Sequence, residues 1–385
     1  MSEGRYGSRF RGGRAARTKA AALALAVAGV ASLAAPPAAT AAEPAPTGIV
    51  ELLTKLQQLY REAEAAGETY NAAEEELKEQ AARTAELTGD LARTRDALAR
   101  SRAVAGHLAR AQYQGRTDLS LSLRLLFARD ADRALEQGQV FRRVAREQAA
   151  AVARLASGEK RADALATASR RALDRQQTLI ARREAARDTA RSRLDQAEKV
   201  LAGLSPDQLA ELAALESSRT QDAQSALLAG GVLGGGERLP SPLGGEALDY
   251  AMAQLGKPYA AGAEGPEAFD GSGLASRAWS EAGRTVPRTS GEQWRVLPRV
   301  PLRSLRPGDL VLYFPEATHV ALYLGRGLVV HAPHPGGRVR VAPLAAHPVL
   351  GAVRPDAGVR SLGSYSPPEL PPEAAALLDA QAEAG

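Results

Sequence analysis

The residues best suited to chemistry lie at Asp270-Gly271-Ser272-Gly273 and, further along, at His319 and His331. Pro258 and Pro266 make the approach to Asp270 irregular, after which Leu274, Ala278 and Ala282 recur at helical spacing as far as Gly283. Asp270 is therefore expected as a helix N-cap. Gly271, Ser272 and Gly273 then fall in the first turn, where unpaired N–H groups and the positive end of the helix dipole converge. Such a turn suits an anion or a thiolate, and a cysteine there would be partly ionised near neutral pH. Position 271 is instead glycine, and the 385-residue chain has no cysteine at all. Ser272 offers a hydroxyl, but one residue along a helix turns the side chain by about 100°. Taken alone, Gly-Ser-Gly is also readable as a flexible helix start without chemistry.

The stretch from His319 to Leu324 reads as a strand, with Val320, Leu322 and Leu324 on one face and His319, Ala321 and Tyr323 on the other. That alternation takes His319 off the apolar face and aims it toward whatever the helix start presents. His331 ends the next strand. A lone strand histidine is more often a partner in a local hydrogen bond than a base. His334 and His347 lie in Pro/Gly-rich loops and carry no assigned role. His319, His331 and His334 lack the compact helical spacing of a metallopeptidase, so no metal is expected. No glycine-rich nucleotide loop follows a strand, and no cofactor is expected either.

Several separate motifs share one resemblance. The run from Ala247 to Tyr259, then Gly265-Pro266-Glu267-Ala268-Phe269-Asp270-Gly271-Ser272-Gly273-Leu274, then Val286-Pro287-Arg288-Thr289-Ser290, resembles the NlpC/P60 family of peptidoglycan endopeptidases. Leu305-Arg306-Pro307-Gly308-Asp309-Leu310-Val311-Leu312-Tyr313 is similar to that family's strand entry, Thr318 to Gly325 to its histidine strand, and His331-Ala332-Pro333 to the motif of its third polar residue. The resemblance implies a papain-like α+β fold. It places the nucleophile at position 271, the general base at His319, the base-orienting residue at His331 and a substrate-side tyrosine at Tyr259, with Asp270 and Ser272 beside them. The family's Asp-Cys-Ser-Gly is broken at Gly271, and Ala261 stands where the family usually has tryptophan.

The elements that must position these residues follow from the rest of the chain. Residues 1–41 open with Arg5, Arg9, Arg11, Arg14, Arg17 and Lys19, continue as an Ala/Leu/Val run and end on small residues, the pattern of a secretory signal peptide. Without that segment the formal charge of +5 vanishes, leaving 43 basic and 43 acidic residues, so no nucleic-acid partner is implied. Residues 42–225 read as long helix. The columns Ile49, Leu56, Ala63, Tyr70, Leu77, Thr84, Leu91, Leu98 and Leu52, Leu59, Ala66, Ala73 make a coiled-coil seam. The rhythm breaks after Tyr113, and an apolar knot from Leu119 to Phe127 suits a hairpin tip. A second arm follows with Val144, Ala151, Gly158, Leu165, Ala172, Leu179 and Ala186, and its register shifts by four near Leu194. Residues 226–246 are Gly/Pro-rich and expected to be a flexible linker, 247–358 the α+β domain, and 359–385 a Pro-rich tail.

The expected architecture is thus an all-α coiled-coil hairpin followed by an α+β papain-like domain. The function it implies is an exported cell-wall protein that has lost catalysis, binding peptidoglycan stem peptides or regulating a partner hydrolase. The coiled-coil arrangement resembles NlpC/P60 proteins of cell division, which implies a membrane division complex as a possible partner. Two alternatives remain open at this point: an active endopeptidase cutting a D-Glu to diamino-acid bond with Ser272 as nucleophile, and a coiled-coil spacer.

Overall fold

The computed structural model describes residues 47–113, 131–234, 236 and 238–383. The segment expected as a signal peptide and the knot from Leu119 to Phe127 lie outside the described residues. Among those described, no helix is long and apolar enough to cross a membrane.

Helices α1 (Thr47–Tyr113, 67 residues) and α2 (Ala131–Ala202, 72 residues) are each about 100 Å long. They run antiparallel: Glu62 pairs with Arg193 at 2.7 Å, Glu76 with Arg175 at 3.1 Å and Arg102 with Glu159 at 3.1 Å, partners that count up one helix and down the other. The seam buries Ile49, Leu56, Ala63, Leu91 and Leu98 with Leu59, Ala66 and Ala73 against Ala151, Ala172, Leu179 and Ala186. Ala190 and Ala197 then continue the buried column after a four-residue step. Small seam residues let the helices approach closely, and at Gly158 even a Cβ would come 3.3 Å from Leu98 Cδ1.

The stretch expected as a flexible linker is partly helical. Helix α3 (Pro206–Ala229) starts on a capping box between Ser205 and Gln208 and extends through Ala229. Helix α4 (Pro242–Met252) starts inside that Gly/Pro-rich stretch, because Ser241 caps it and Pro242 occupies the first position, which needs no N–H donor. The irregular connection thus shrinks to the turn after Gly230 and the segment up to Ser241.

The C-terminal domain is a six-stranded antiparallel sheet ordered β1-β6-β2-β3-β4-β5. Its strands are β1 (Arg299–Val300), β2 (Leu310–Tyr313), β3 (His319–Gly325), β4 (Leu328–His331), β5 (Arg340–Pro343) and β6 (Val349–Val353). On one face α4 and α5 (Gly271–Glu281) bury Leu248, Leu274, Ala278 and Trp279 against Val320, Leu322 and Val330. The short helix α6 (Ser290–Val296) follows α5. The other face is not polar, contrary to a simple reading of β3: Ala321, Tyr323, Val311 and Val329 form a second core that Leu227 and Leu233 cover. Gln224 fixes α3 there, its amide donating to Gly327 O at 2.9 Å and accepting from Ala345 N at 3.0 Å. The tail also rests on the domain. Helix α7 (Pro372–Glu383) and Leu370 bring Leu377 and Leu378 against the first core.

Candidate active-site cleft

Asp270 is the N-cap of α5, as its sequence context predicts, and its carboxylate organises the cleft floor. Oδ1 accepts from Gly273 N–H at 2.6 Å, while Oδ2 accepts from Gly262 N–H at 2.8 Å and from the Arg288 guanidinium at 2.7 Å. Gly273 must be small, because a Cβ would lie 2.3 Å from Ala263 O. The next strand in the chain after α6 and β2 delivers His319 to the same place: a Cβ on Gly271 would stand 3.1 Å from His319 Nδ1. His319 Nε2 and His331 Nδ1 are 2.9 Å apart in a ring-to-ring hydrogen bond. The structure therefore joins Gly271, His319 and His331 in the order a nucleophile, a base and its orienting partner require. Burial lowers the His319 pKa to about 4, and burial together with neighbouring His319 holds His331 well below its ordinary value. Both rings are neutral at neutral pH.

The cleft beside Gly271 is filled by α1. Glu64 Oε1 lies 2.9 Å from His319 Nδ1, on the side where a residue-271 sulfur would sit. Burial raises the Glu64 carboxyl well above its ordinary value. One turn on, Glu68 accepts from Ser272 Oγ at 2.6 Å and from Ser290 N–H at 2.7 Å. Burial, with Asp270 nearby, pushes its carboxyl up to about 7. Asn71 donates to Asp270 Oδ2 at 3.0 Å. Tyr60 stacks on His334 with centroids 4.5 Å apart, and Arg61 lies 5.8 Å over the Phe314 ring. What remains between α1, Tyr259, Gly271 and His319 is a cavity of about 10 Å³, enough for about one water.

The remaining candidates fall into place around this plug. Tyr259 lines the cleft, its phenol pushed well above the ordinary value by burial and by Glu64. Ser272 is 2% exposed, and its hydroxyl is held by Glu68 and by Arg288 at 2.9 Å, not by His319. The histidine set weighed for a metal is corrected in membership: His347, not His334, joins His319 and His331. Sequence reasoning missed Glu64, Glu68 and Asn71, although with Tyr60 they form one stripe at helical spacing beside the seam.

A capped helix facing a strand histidine that a second histidine orients is the frame of a papain-like hydrolase, here without its sulfur. Residues 256–350 match the NlpC/P60 family and form an NlpC/P60 domain. A probable endopeptidase of Corynebacterium glutamicum is 45% identical over 94 residues, covering 24% of this chain and 45% of that relative. Peptidoglycan endopeptidase RipA of Mycobacterium tuberculosis is 35% identical over 125 residues, covering 28% of this chain and 26% of RipA. The chain thus spans less than half the length of these relatives. Among solved structures, the NlpC/p60 domain of peptidoglycan hydrolase SagA is 28% identical, with 29% of this chain and 97% of that one covered and a TM-score of 0.28. RipD of Mycobacterium tuberculosis, described as a non-catalytic NlpC/p60 domain protein adapted to peptidoglycan binding, is 31% identical over 29% of this chain and 96% of that one, with a TM-score of 0.26.

Proposed function

We propose that this chain is an exported, non-catalytic NlpC/P60 protein of the cell wall, whose cleft takes a peptidoglycan stem peptide when α1 withdraws, with control of a partner hydrolase as the consequence. The observation that carries the reading is the position of Gly271: the base and its orienter are kept, the nucleophile is gone, and a carboxyl from α1 stands in the vacated direction. Catalysis by the cysteine route has no sulfur anywhere in the sequence to run on. A role as a mere spacer does not call for the polar contacts that α1 makes with the cleft.

One observation favours a hydrolytic reading: Glu68, with its carboxyl near neutrality, lies 2.6 Å from the Ser272 hydroxyl and has the reach of a general base. Against it, both groups are enclosed, and Glu68 rides on the helix that shuts the cleft. Digestion and sedimentation with purified peptidoglycan test the two. The full chain is expected to release no soluble fragments. A Glu64→Ala/Glu68→Ala variant, freed of the plug, is expected to sediment with wall more strongly, by about tenfold for each 1.4 kcal/mol of docking removed. Fragment release that Ser272→Ala abolishes would install the serine, and equal absence of wall binding in both chains would overturn the binding reading.

A further inference from the structure

Three of the five histidines in the chain converge behind the cleft, and the family frame accounts for only two of them. His319 begins β3, His331 ends β4, and His347 follows the 3-10 turn Leu344–Ala346 in the connection to β6. One ring nitrogen from each lies within 4.8 Å of the others. Their ring centroids are 5.1 Å apart for His319 and His331, 5.3 Å for His319 and His347, and 5.9 Å for His331 and His347. Three imidazoles on one tetrahedral ion, with metal–nitrogen bonds of about 2.0–2.1 Å, hold their centroids about 5.2 Å apart and their ligand atoms about 3.4 Å apart. Two of the three ring separations already match. We propose that His319, His331 and His347 form a binding site for a divalent transition-metal ion of the zinc type.

Three further features fit a cation there. With a Glu64 carboxyl oxygen accepting from His319 Nδ1–H at 2.9 Å, the lone pair of Nε2 is left toward the other two rings, the carboxyl–histidine–metal arrangement that fixes a ligand's tautomer. A buried polar atom beside the cluster has no hydrogen-bond partner: the hydroxyl of Tyr313, whose ring lies 5.6 Å from those of both His319 and His347. Such an orphan is the mark of a site built for something more than apolar packing. The donors are neutral imidazoles and no thiolate exists in the chain, a set that suits Zn²⁺, Co²⁺, Ni²⁺ or Cu²⁺ and not Mg²⁺ or Ca²⁺.

Two features oppose binding and set its terms. The ligand nitrogens, within 4.8 Å of one another, must draw in to about 3.4 Å, while the His319–His331 hydrogen bond must open by a few tenths of an ångström. His347 is the ligand with room to move, being half-buried in a connection and not fixed in a ladder. Arg340, across the β4–β5 ladder from His331, opposes a cation: its charge acts on all three rings, and it is itself partly desolvated.

Titration of the full chain with Co²⁺ and with Zn²⁺ tests the site. One equivalent of Co²⁺ is expected to bind with the intense visible bands of a four-coordinate ion, and Zn²⁺ to displace it. His347→Ala should weaken binding by more than about a hundredfold, and Glu64→Gln, which alters only the outer partner of His319, by about 10–100-fold. His334→Ala should leave the affinity unchanged. Should His347→Ala fail to fold by circular dichroism, His347→Gln takes its place. Absence of a one-to-one visible Co²⁺ species in the unmodified chain, or a species that survives both His347→Gln and Glu64→Gln, overturns the proposal.

Discussion

At the scale of single residues, the informative position is the one without a side chain. Gly271 is flanked by a functioning N-cap and faces a paired histidine, so restoring sulfur looks like a one-atom repair. The structure argues otherwise for the intact chain. A Cβ at 271 already presses on His319 at 3.1 Å, and a sulfur beyond it would meet the Glu64 carboxyl. Gly271→Cys is therefore expected to lower stability by about 1–3 kcal/mol through overpacking and to show no wall hydrolysis. Gly271→Cys/Glu64→Ala is expected to gain a weak activity that iodoacetamide abolishes, because the thiol then sits at a free helix N-terminus beside its base. Activity of the single variant equal to that of the double variant would show that Glu64 does not occupy the sulfur's place. Asp270 was legible in the sequence as a cap and His319 by its side of an alternating strand, whereas the pairing of His319 with His331 came through the family resemblance. His347 was not legible, since a loop residue acquires its neighbours only when distant strands assemble.

At the scale of elements, α1 does two jobs on two faces. The heptad columns revealed the seam, because its apolar period is strong in sequence. The second stripe of Tyr60, Glu64, Glu68 and Asn71 was hidden, because polar residues outside a seam read as a solvated face until a partner some 200 residues away covers them. The buried carboxyl of Glu68 gives this face a pH dependence. Its pKa in the folded chain, about 7, is raised above the ordinary 4.5, so its contribution is complete below about 4.5 and is lost as pH rises through 7. Across that interval the contribution amounts to about 3 kcal/mol. The depressed histidines act in the opposite sense below about pH 7.5, where the unfolded chain takes up protons and the buried rings do not. From about pH 7.5 to 8.5 the slope therefore belongs to the acids. The melting temperature is expected to fall over that range, and Glu68→Gln, a mimic of the protonated acid, is expected to flatten the fall. An unchanged slope in the variant would show that Glu68 titrates near its ordinary value.

At the scale of the whole molecule, the hairpin and the NlpC/P60 domain are tied twice, by α1 across the cleft and by α3 across the back of the sheet. The sequence conveyed the two-part plan because composition changes sharply at the glycines after Ala229. It did not convey the ties, and the glycines themselves suggested free motion between the parts. The two ties differ in chemistry. Across the cleft, titratable carboxyls meet hydroxyls, an amide and an imidazole, contacts whose balance shifts with pH. Behind the sheet, Leu227 and Leu233 pack on an apolar core and Gln224, only 3% exposed, closes two backbone groups. That contrast makes α3 the permanent attachment and α1 the releasable one, so the hairpin can uncover the cleft while staying joined to the domain. Gln224→Ala tests the permanent side. It leaves the half-buried Ala345 N–H without a partner, at about 1–3 kcal/mol, while Gly327 O keeps its bond from Leu344 N–H at 2.8 Å. Urea denaturation is expected to show a loss of about 1–3 kcal/mol with the unfolding slope preserved, and wall binding no greater than in the unmodified chain, since α1 still fills the cleft. A loss below about 0.5 kcal/mol, the range of ordinary surface changes, would show that α3 does not hold the hairpin to the sheet.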